Sequence, residues 1–123
     1  MSTLLNTPYG GFTVKVEVKN TKAESAAVHS AIVDVDICFS EGRIVNTSFP
    51  MLCVGEEPTT DVAADWVQVG IEWYREELKS GAESRIDQIT YPRAAAYALL
   101  THIGAVIKKR SDATFEFWQK NMD

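Results

Sequence analysis

The chain has 123 residues, of which 46% are apolar and 24% are charged, and its 17 acidic and 12 basic side chains give a net charge of −5. This length and composition predict a single globular domain, residues 1–123, with enough apolar material for a core of its own. The negative net charge argues against direct binding of nucleic acid, because phosphates repel an acidic protein.

The sequence predicts neither a membrane segment nor an export signal. No apolar run approaches the roughly 20 residues that a membrane-spanning helix requires. The first residues lack the cationic start and the long apolar stretch of a secretory signal. The two cysteines, Cys38 and Cys53, are then expected to be small apolar side chains in a reducing compartment rather than a disulfide. We therefore expect a cytoplasmic protein.

The first half of the chain has the two-residue period of β-strands. In residues 12–18, FTVKVEV, apolar and polar side chains alternate, which is typical of a strand with one buried face. Residues 32–39 repeat the alternation, Gly42 allows a tight turn, and residues 43–54 are predicted to return as a further strand. Pro50 has no backbone N–H, so we expect it at a sheet edge, at a bulge, or at a break between two short strands.

A helix is predicted from Thr60 to Gly81. The preceding residues, Pro58 and Thr59, are typical of a helix start, and the glycine is typical of a helix end. Apolar side chains occupy a wide arc of this helix, so we expect extensive packing on its neighbours, with Trp66 in the core between helix and sheet.

The charged side chains of this first helix fall within an arc of about 100°. The simplest interpretation is the solvated face of a packed helix. The alternative is a docking surface for a basic partner. The candidate partner-binding residues are its carboxylates, Asp61, Asp65, Glu72 and Glu76.

A second long helix is predicted to begin at Tyr91-Pro92, because proline is favoured at the first helical position. Small residues in 94–105 would allow another backbone to approach closely. The basic cluster 108–110 is expected at the end of this helix, where the macrodipole favours cations. Residues 111–123 are ambiguous between strand and helix, and we prefer a short C-terminal helix capped by Ser111 or Asp112.

These elements predict an α+β fold with two layers. An antiparallel sheet of three to four strands is followed by two long helices and a short C-terminal helix. So small a sheet leaves edges that must be covered or paired, and broad apolar helix faces leave surface to bury. We therefore expect a homo-oligomer, as a dimer or a dimer of dimers.

The sequence predicts no catalytic, cofactor-binding or metal-binding residues. His29 and His102 have no cysteine or carboxylate at ligand spacing, and glycine-rich phosphate loops and the nucleophile elbow are absent. The charges of 17–19 (EVK) and 34–36 (DVD) resemble those of metal-dependent nucleases. Their order is reversed, however, and ordinary ion pairs across neighbouring strands explain them more simply.

The order of elements is similar to that of SecB-type export chaperones. The local likeness lies in residues 14–20, VKVEVKN, which lead into a hairpin, and in Tyr91-Pro92-Arg93, which opens an alanine-rich helix. The resemblance covers residues 12–55 and 89–107 and implies an acidic cytosolic subunit that assembles as a tetramer. The helix of Trp66 and Trp73 has no counterpart in that family, and the hairpin is short for four full strands.

Three functions remain compatible with the sequence. The first is a non-enzymatic protein-binding module, either chaperone-like or an accessory factor. The second is a small acidic inhibitor or adaptor of a nucleic-acid-processing machine, of the kind that phages and mobile elements encode. The third is a small-ligand binder or enzyme with a pocket between sheet and helices.

Overall fold

A computed structural model describes residues 2–7, 12–39, 42–80 and 92–120. Four antiparallel strands form one sheet in the order β1-β2-β3-β4. Their bounds are β1 (Ser2–Asn6), β2 (Phe12–Ala23), β3 (Val28–Phe39) and β4 (Gly42–Val54). The predicted α+β fold is confirmed. The alternation of residues could not reveal β1, because its two leucines are adjacent.

Two helices cover one face of the sheet. Helix α1 (Thr60–Ser80) packs against β1 and β2, and helix α2 (Pro92–Lys120) packs against β4 and β3. The predicted start of α1 is confirmed, since the Val62 N–H donates to Thr59 Oγ1 at 3.2 Å and caps the helix. The predicted Gly81 end lies outside the described residues. Within the described ranges, neither helix has the length and apolar content needed to cross a membrane.

The expected separate C-terminal helix is continuous with α2, so the basic cluster 108–110 lies inside the helix instead of at its end. The side chains expected to cap a new helix have other partners. Ser111 Oγ accepts the Leu52 N–H at 3.1 Å, and Asp112 pairs with Lys108 at 2.7 Å, one helical turn earlier. Packing on β4 and a pair at i,i+4 therefore favour continuation of the helix at this point.

The alternating apolar residues of the strands face the core, as expected. Pro50 lies on β4, which is an edge strand, so the predicted position at a sheet edge is confirmed. Cys53 is buried, Cys38 is half-buried, and both are free thiols. The fully buried face of the central strands consists of Val14, Val16, Val33, Val35 and Ile37.

The two tryptophans of α1 have different environments. Trp66 is only 8% exposed and belongs to the core, as predicted. Trp73 is 41% exposed, because it lies at the outer margin of the contact between α1 and α2. The apolar arc of α1 therefore exceeds the surface that the helix buries, and the excess faces outward.

Candidate functional site

The candidate carboxylates of α1 lie along its outer side. Asp61, Asp65 and Glu76 are exposed, and Glu72 is half-buried. Glu72 accepts hydrogen bonds from Gln68 and Arg75, each at 3.2 Å, and Glu76 pairs with a lysine of the same helix at 3.9 Å. The C-terminal half of the row is thus balanced within α1. Among the described residues, no ion pair involves the other two aspartates of the row.

The carboxylates on the open face of the sheet are held by neighbouring strands. Asp34 accepts hydrogen bonds from Asn46 Nδ2 at 3.2 Å and Ser48 Oγ at 2.9 Å, and it lies 3.7 Å from Lys19 Nζ. The amide of Asn46 also donates to Asp36, at 2.6 Å. The predicted ion pair across strands is confirmed. In the part of the chain that the structure describes, no group of three or more histidine, cysteine, aspartate or glutamate side chains is placed to hold a metal ion.

These contacts set the protonation of Asp34. Burial works to raise its pKa, but the hydrogen bonds from Asn46 and Ser48 and the Lys19 ammonium outweigh it, so the pKa lies below the ordinary value of 3.8. The carboxylate is therefore ionised near neutral pH and serves to join β2, β3 and β4 on the open face.

An apolar groove of about 510 Å³ lies between β4 and the C-terminal half of α2. We call it the β4–α2 groove. Its apolar lining includes one ring on each side, from Phe49 of β4 and from Phe115 of α2, and the latter is 44% exposed. The other apolar lining residues are Pro50, Leu52 and Ile107. Such an open apolar surface is typical of a contact site for another molecule.

The polar groups of the β4–α2 groove are already engaged. Lys108 and Asp112 pair with each other on the α2 side, and Ser111 Oγ accepts the Leu52 N–H. In an antiparallel strand, alternate residues direct their backbone groups to the same side, so Pro50, two residues earlier, faces this edge without an N–H. A segment lying in the groove thus finds no free backbone donor at these two positions.

Glycine at position 104 brings α2 close to β4. A Cβ atom on Gly104 would lie 2.7 Å from Cε1 of Phe49, well inside van der Waals contact. The missing side chain therefore lets the phenylalanine ring rest against the helix and form the wall of the groove. Sequence reasoning did not find the groove, because its two walls are more than fifty residues apart in the chain. The aromatic residues in 115–118 were the available signal.

A second, smaller groove of about 260 Å³ runs between α1 and α2 on the outer side of the helix layer. We call it the helix-layer groove. Lys109 Nζ lies 5.7 Å from the centre of the Trp73 ring, and Arg110 Cζ lies 5.6 Å from that of Trp66. Both distances are within the range of cation–π attraction. Its remaining lining residues are Val69, Val106 and Ala113.

The histidines and the buried cysteine have structural surroundings. His102 Nδ1 lies 2.9 Å from the Ala98 carbonyl oxygen, and its ring is 5.2 Å from that of Tyr74. Residues 20–30 interrupt the alternation of the strands, which predicts a loop around His29, but His29 lies in β3. Burial, and then the charge of Glu56, raise the pKa of the Cys53 thiol, so this sulfur is not a ready thiolate nucleophile.

Comparisons of the chain with protein-family models, with curated proteins and with solved structures find no match.

Proposed function

We propose that the chain is a non-enzymatic protein-binding module and that the β4–α2 groove receives apolar side chains of its partner. The observation that supports this proposal is that the β4–α2 groove has an open apolar lining, while its polar side chains are already bound to other groups of the protein. A small ligand needs a few unengaged polar groups that fix its orientation. The side chains of a protein segment need only apolar surface, and the groove supplies it.

The edge of β4 favours side-chain contacts over strand addition. Strand addition depends on main-chain hydrogen bonds along a sheet edge, and Pro50 and the capped N–H of Leu52 remove two consecutive donors on that side. Helix α2 also lies along this edge. The partner segment is therefore proposed to lie across the groove with its apolar residues inserted between Phe49 and Phe115.

A chaperone-like role is one form of this proposal. A groove that binds apolar side chains and makes no main-chain hydrogen bonds to its partner can accept many different sequences. A cytoplasmic location is part of the proposal, and two free thiols are compatible with a reducing compartment. The inhibitor alternative draws support from Asp61 and Asp65, which are exposed at the start of α1 and are suited to a basic surface.

Selection of peptides from a phage-displayed random library tests the proposal. We expect peptides rich in aromatic and large aliphatic residues, with affinity measured afterwards by fluorescence anisotropy. Phe115→Asp should weaken binding by about tenfold or more, since it places a charge in an apolar contact. Tyr97→Asp is the matched control, because Tyr97 is an aromatic residue of the same helix, is 52% exposed, and does not line the groove.

The proposal fails if the library yields no apolar peptides or if both aspartate variants bind the selected peptides equally well. Peptides that are basic instead, and that lose affinity with Asp61→Asn and Asp65→Asn, would favour the inhibitor alternative. Circular dichroism of each variant establishes that the fold is retained.

A further inference from the structure

The two helices have opposite charge. Helix α1 has five carboxylates and two cationic side chains, whereas α2 has five cationic side chains and two carboxylates. Their net charges are therefore −3 and +3. The two helices form one layer, and the side of this layer that faces away from the sheet is open in the monomer. This outer surface therefore has a negative strip along α1 beside a positive strip along α2.

The two helices run antiparallel. Charges of opposite sign that have no ion-pair partner in the described part of the chain therefore lie at the same height along the two helix axes. Trp66 lies beside Arg110, and Tyr74 lies beside His102. Asp65, next to Trp66 in the chain, is thus level with the basic cluster of α2. Among the described residues, no ion pair involves Asp65, Lys109 or Arg110, although all are exposed.

Apolar surface separates the two charged strips. The helix-layer groove contains the exposed part of Trp73, with Val69 from α1 and Ala113 from α2 beside it. A tryptophan that is 41% exposed between opposite charges is typical of the centre of a protein interface, where aromatic residues are enriched and charges surround them.

We propose that two copies of this chain pack through the outer side of the helix layer, around a two-fold axis parallel to the helices. Rotation about that axis places α1 of one copy on α2 of the other, so the negative strip faces the positive strip twice. A two-fold axis perpendicular to the helices would place like charges opposite each other. In the proposed dimer, Asp65 of each copy faces Lys109 of the other, and the two Trp73 side chains meet near the axis.

A second copy suits this surface better than an unrelated partner does. The surface is complementary to itself, which is the requirement of an isologous dimer. A helix pair about 30 Å long and 20 Å wide offers on the order of 600 Å², and stable interfaces bury about 600 to 1,000 Å² on each partner. The proposal does not depend on the β4–α2 groove, which lies on the other flank of α2 and remains open in the dimer.

Charge reversal at one pair of positions tests both the surface and its symmetry. Asp65→Lys and Lys109→Glu are studied by analytical ultracentrifugation at low salt. The wild-type chain should sediment with twice the 13.6 kDa mass of the monomer. Each variant alone should self-associate at least about tenfold more weakly, because like charges then face each other twice. An equimolar mixture should form a heterodimer, since both contacts regain opposite charges.

Each other outcome overturns the proposal. A monomeric wild-type chain at tens of micromolar excludes the dimer. A wild-type dimer that neither variant weakens must use another surface, such as the β1 edge. Two weakened variants that do not associate with each other exclude the two-fold arrangement. If a reversed charge prevents folding, Asp65→Asn and Lys109→Gln replace these variants, and each should weaken self-association and reduce its salt dependence.

Discussion

Gly70 of α1 lies directly against the backbone of Ile103 in α2. A Cβ atom on the glycine would be 2.6 Å from the Cα atom and 2.9 Å from the nitrogen of Ile103. The two helices therefore touch through main-chain atoms, which a larger residue at position 70 would prevent. This contact sets the separation of the helices and with it the width of the helix-layer groove.

Gly70→Ala should destabilise the protein, although alanine is the better helix former. Propensity contributes no more than about 1 kcal/mol in favour of alanine, whereas overpacking against immobile atoms costs about 1–3 kcal/mol. We expect a net loss of about 2 kcal/mol in urea unfolding, with the slope m unchanged. Gly104→Ala is the matched control.

The control has the same gain in propensity, but its new methyl group meets the ring edge of Phe49, which can rotate aside. Its free energy of unfolding should change by less than about 1 kcal/mol. If Gly70→Ala is as stable as Gly104→Ala, or more stable than the wild-type protein, the close contact with Ile103 does not exist in solution.

The two tryptophans of α1 offer a comparison within one helix. Truncation of the buried Trp66 removes a core side chain that is 8% exposed and should cost about 3–5 kcal/mol. That loss approaches the whole stability of a small domain, about 5 kcal/mol at the lower end. Trp66→Ala should therefore be insoluble or largely unfolded by circular dichroism.

Trp73→Ala should instead remain folded, with a loss of about 1 kcal/mol, because its ring is 41% exposed and has less contact to lose. It should weaken self-association if the helix layer is the dimer surface. Equal destabilisation by the two substitutions would show that both rings are buried, contrary to the different exposures found here.

Local patterns predicted the elements, whereas contacts between distant segments determined the rest. Alternation identified β2, β3 and β4, and the helical period with its cap identified α1. The continuation of α2 past Ser111 was missed, because the hydroxyl that would cap a new helix binds the Leu52 N–H in another element. The role of Gly70 was missed because its contact, Ile103, also lies in another element. The close approach expected at residues 94–105 of α2 does occur, at Ile103, and Ala95 and Ala96 are fully buried, but the glycine that permits the contact belongs to α1.

The candidate site was predictable only in part. The carboxylate row follows from the helical period and lies on the outer side of α1, as expected for its simplest interpretation. The β4–α2 groove requires the register of β4 and the course of α2, neither of which can be read from one segment. The opposite charges of the two helices are visible in the sequence, but their position side by side on one surface is not.

Ser111→Ala should expose the edge of β4. The hydroxyl oxygen accepts the Leu52 N–H at 3.1 Å, and without it this half-buried amide loses its partner. We expect a loss of about 1 kcal/mol in stability and faster hydrogen exchange of the Leu52 amide by NMR. Ser111→Thr, which keeps the hydroxyl, is the control. Unchanged exchange in the alanine variant would show that water or another group satisfies this amide equally well.

Asp34 should make the stability of the sheet depend on pH. Its pKa in the folded protein lies below 3.8, against the effect of burial, because Asn46, Ser48 and Lys19 favour the carboxylate. A group with a lowered pKa stabilises the fold above its unfolded pKa, and this contribution is lost as the pH falls through the folded value. Asp34→Asn should therefore be less stable than the wild-type protein near neutral pH.

The difference between wild type and Asp34→Asn should be no more than about 1 kcal/mol, because the network lies on the open face. It should be constant down to mildly acidic pH and shrink below 3.8, where the wild-type carboxyl takes up its proton. Urea unfolding across this pH range measures it. Ser48→Ala removes the hydroxyl that donates at 2.9 Å, so it should raise the pKa of Asp34 in an NMR titration and reduce the same pH-dependent difference. A pKa of Asp34 above 3.8 in the wild-type protein would mean that burial outweighs the three favourable contacts, and the wild-type protein would then lose stability relative to Asp34→Asn as the pH rises through that value.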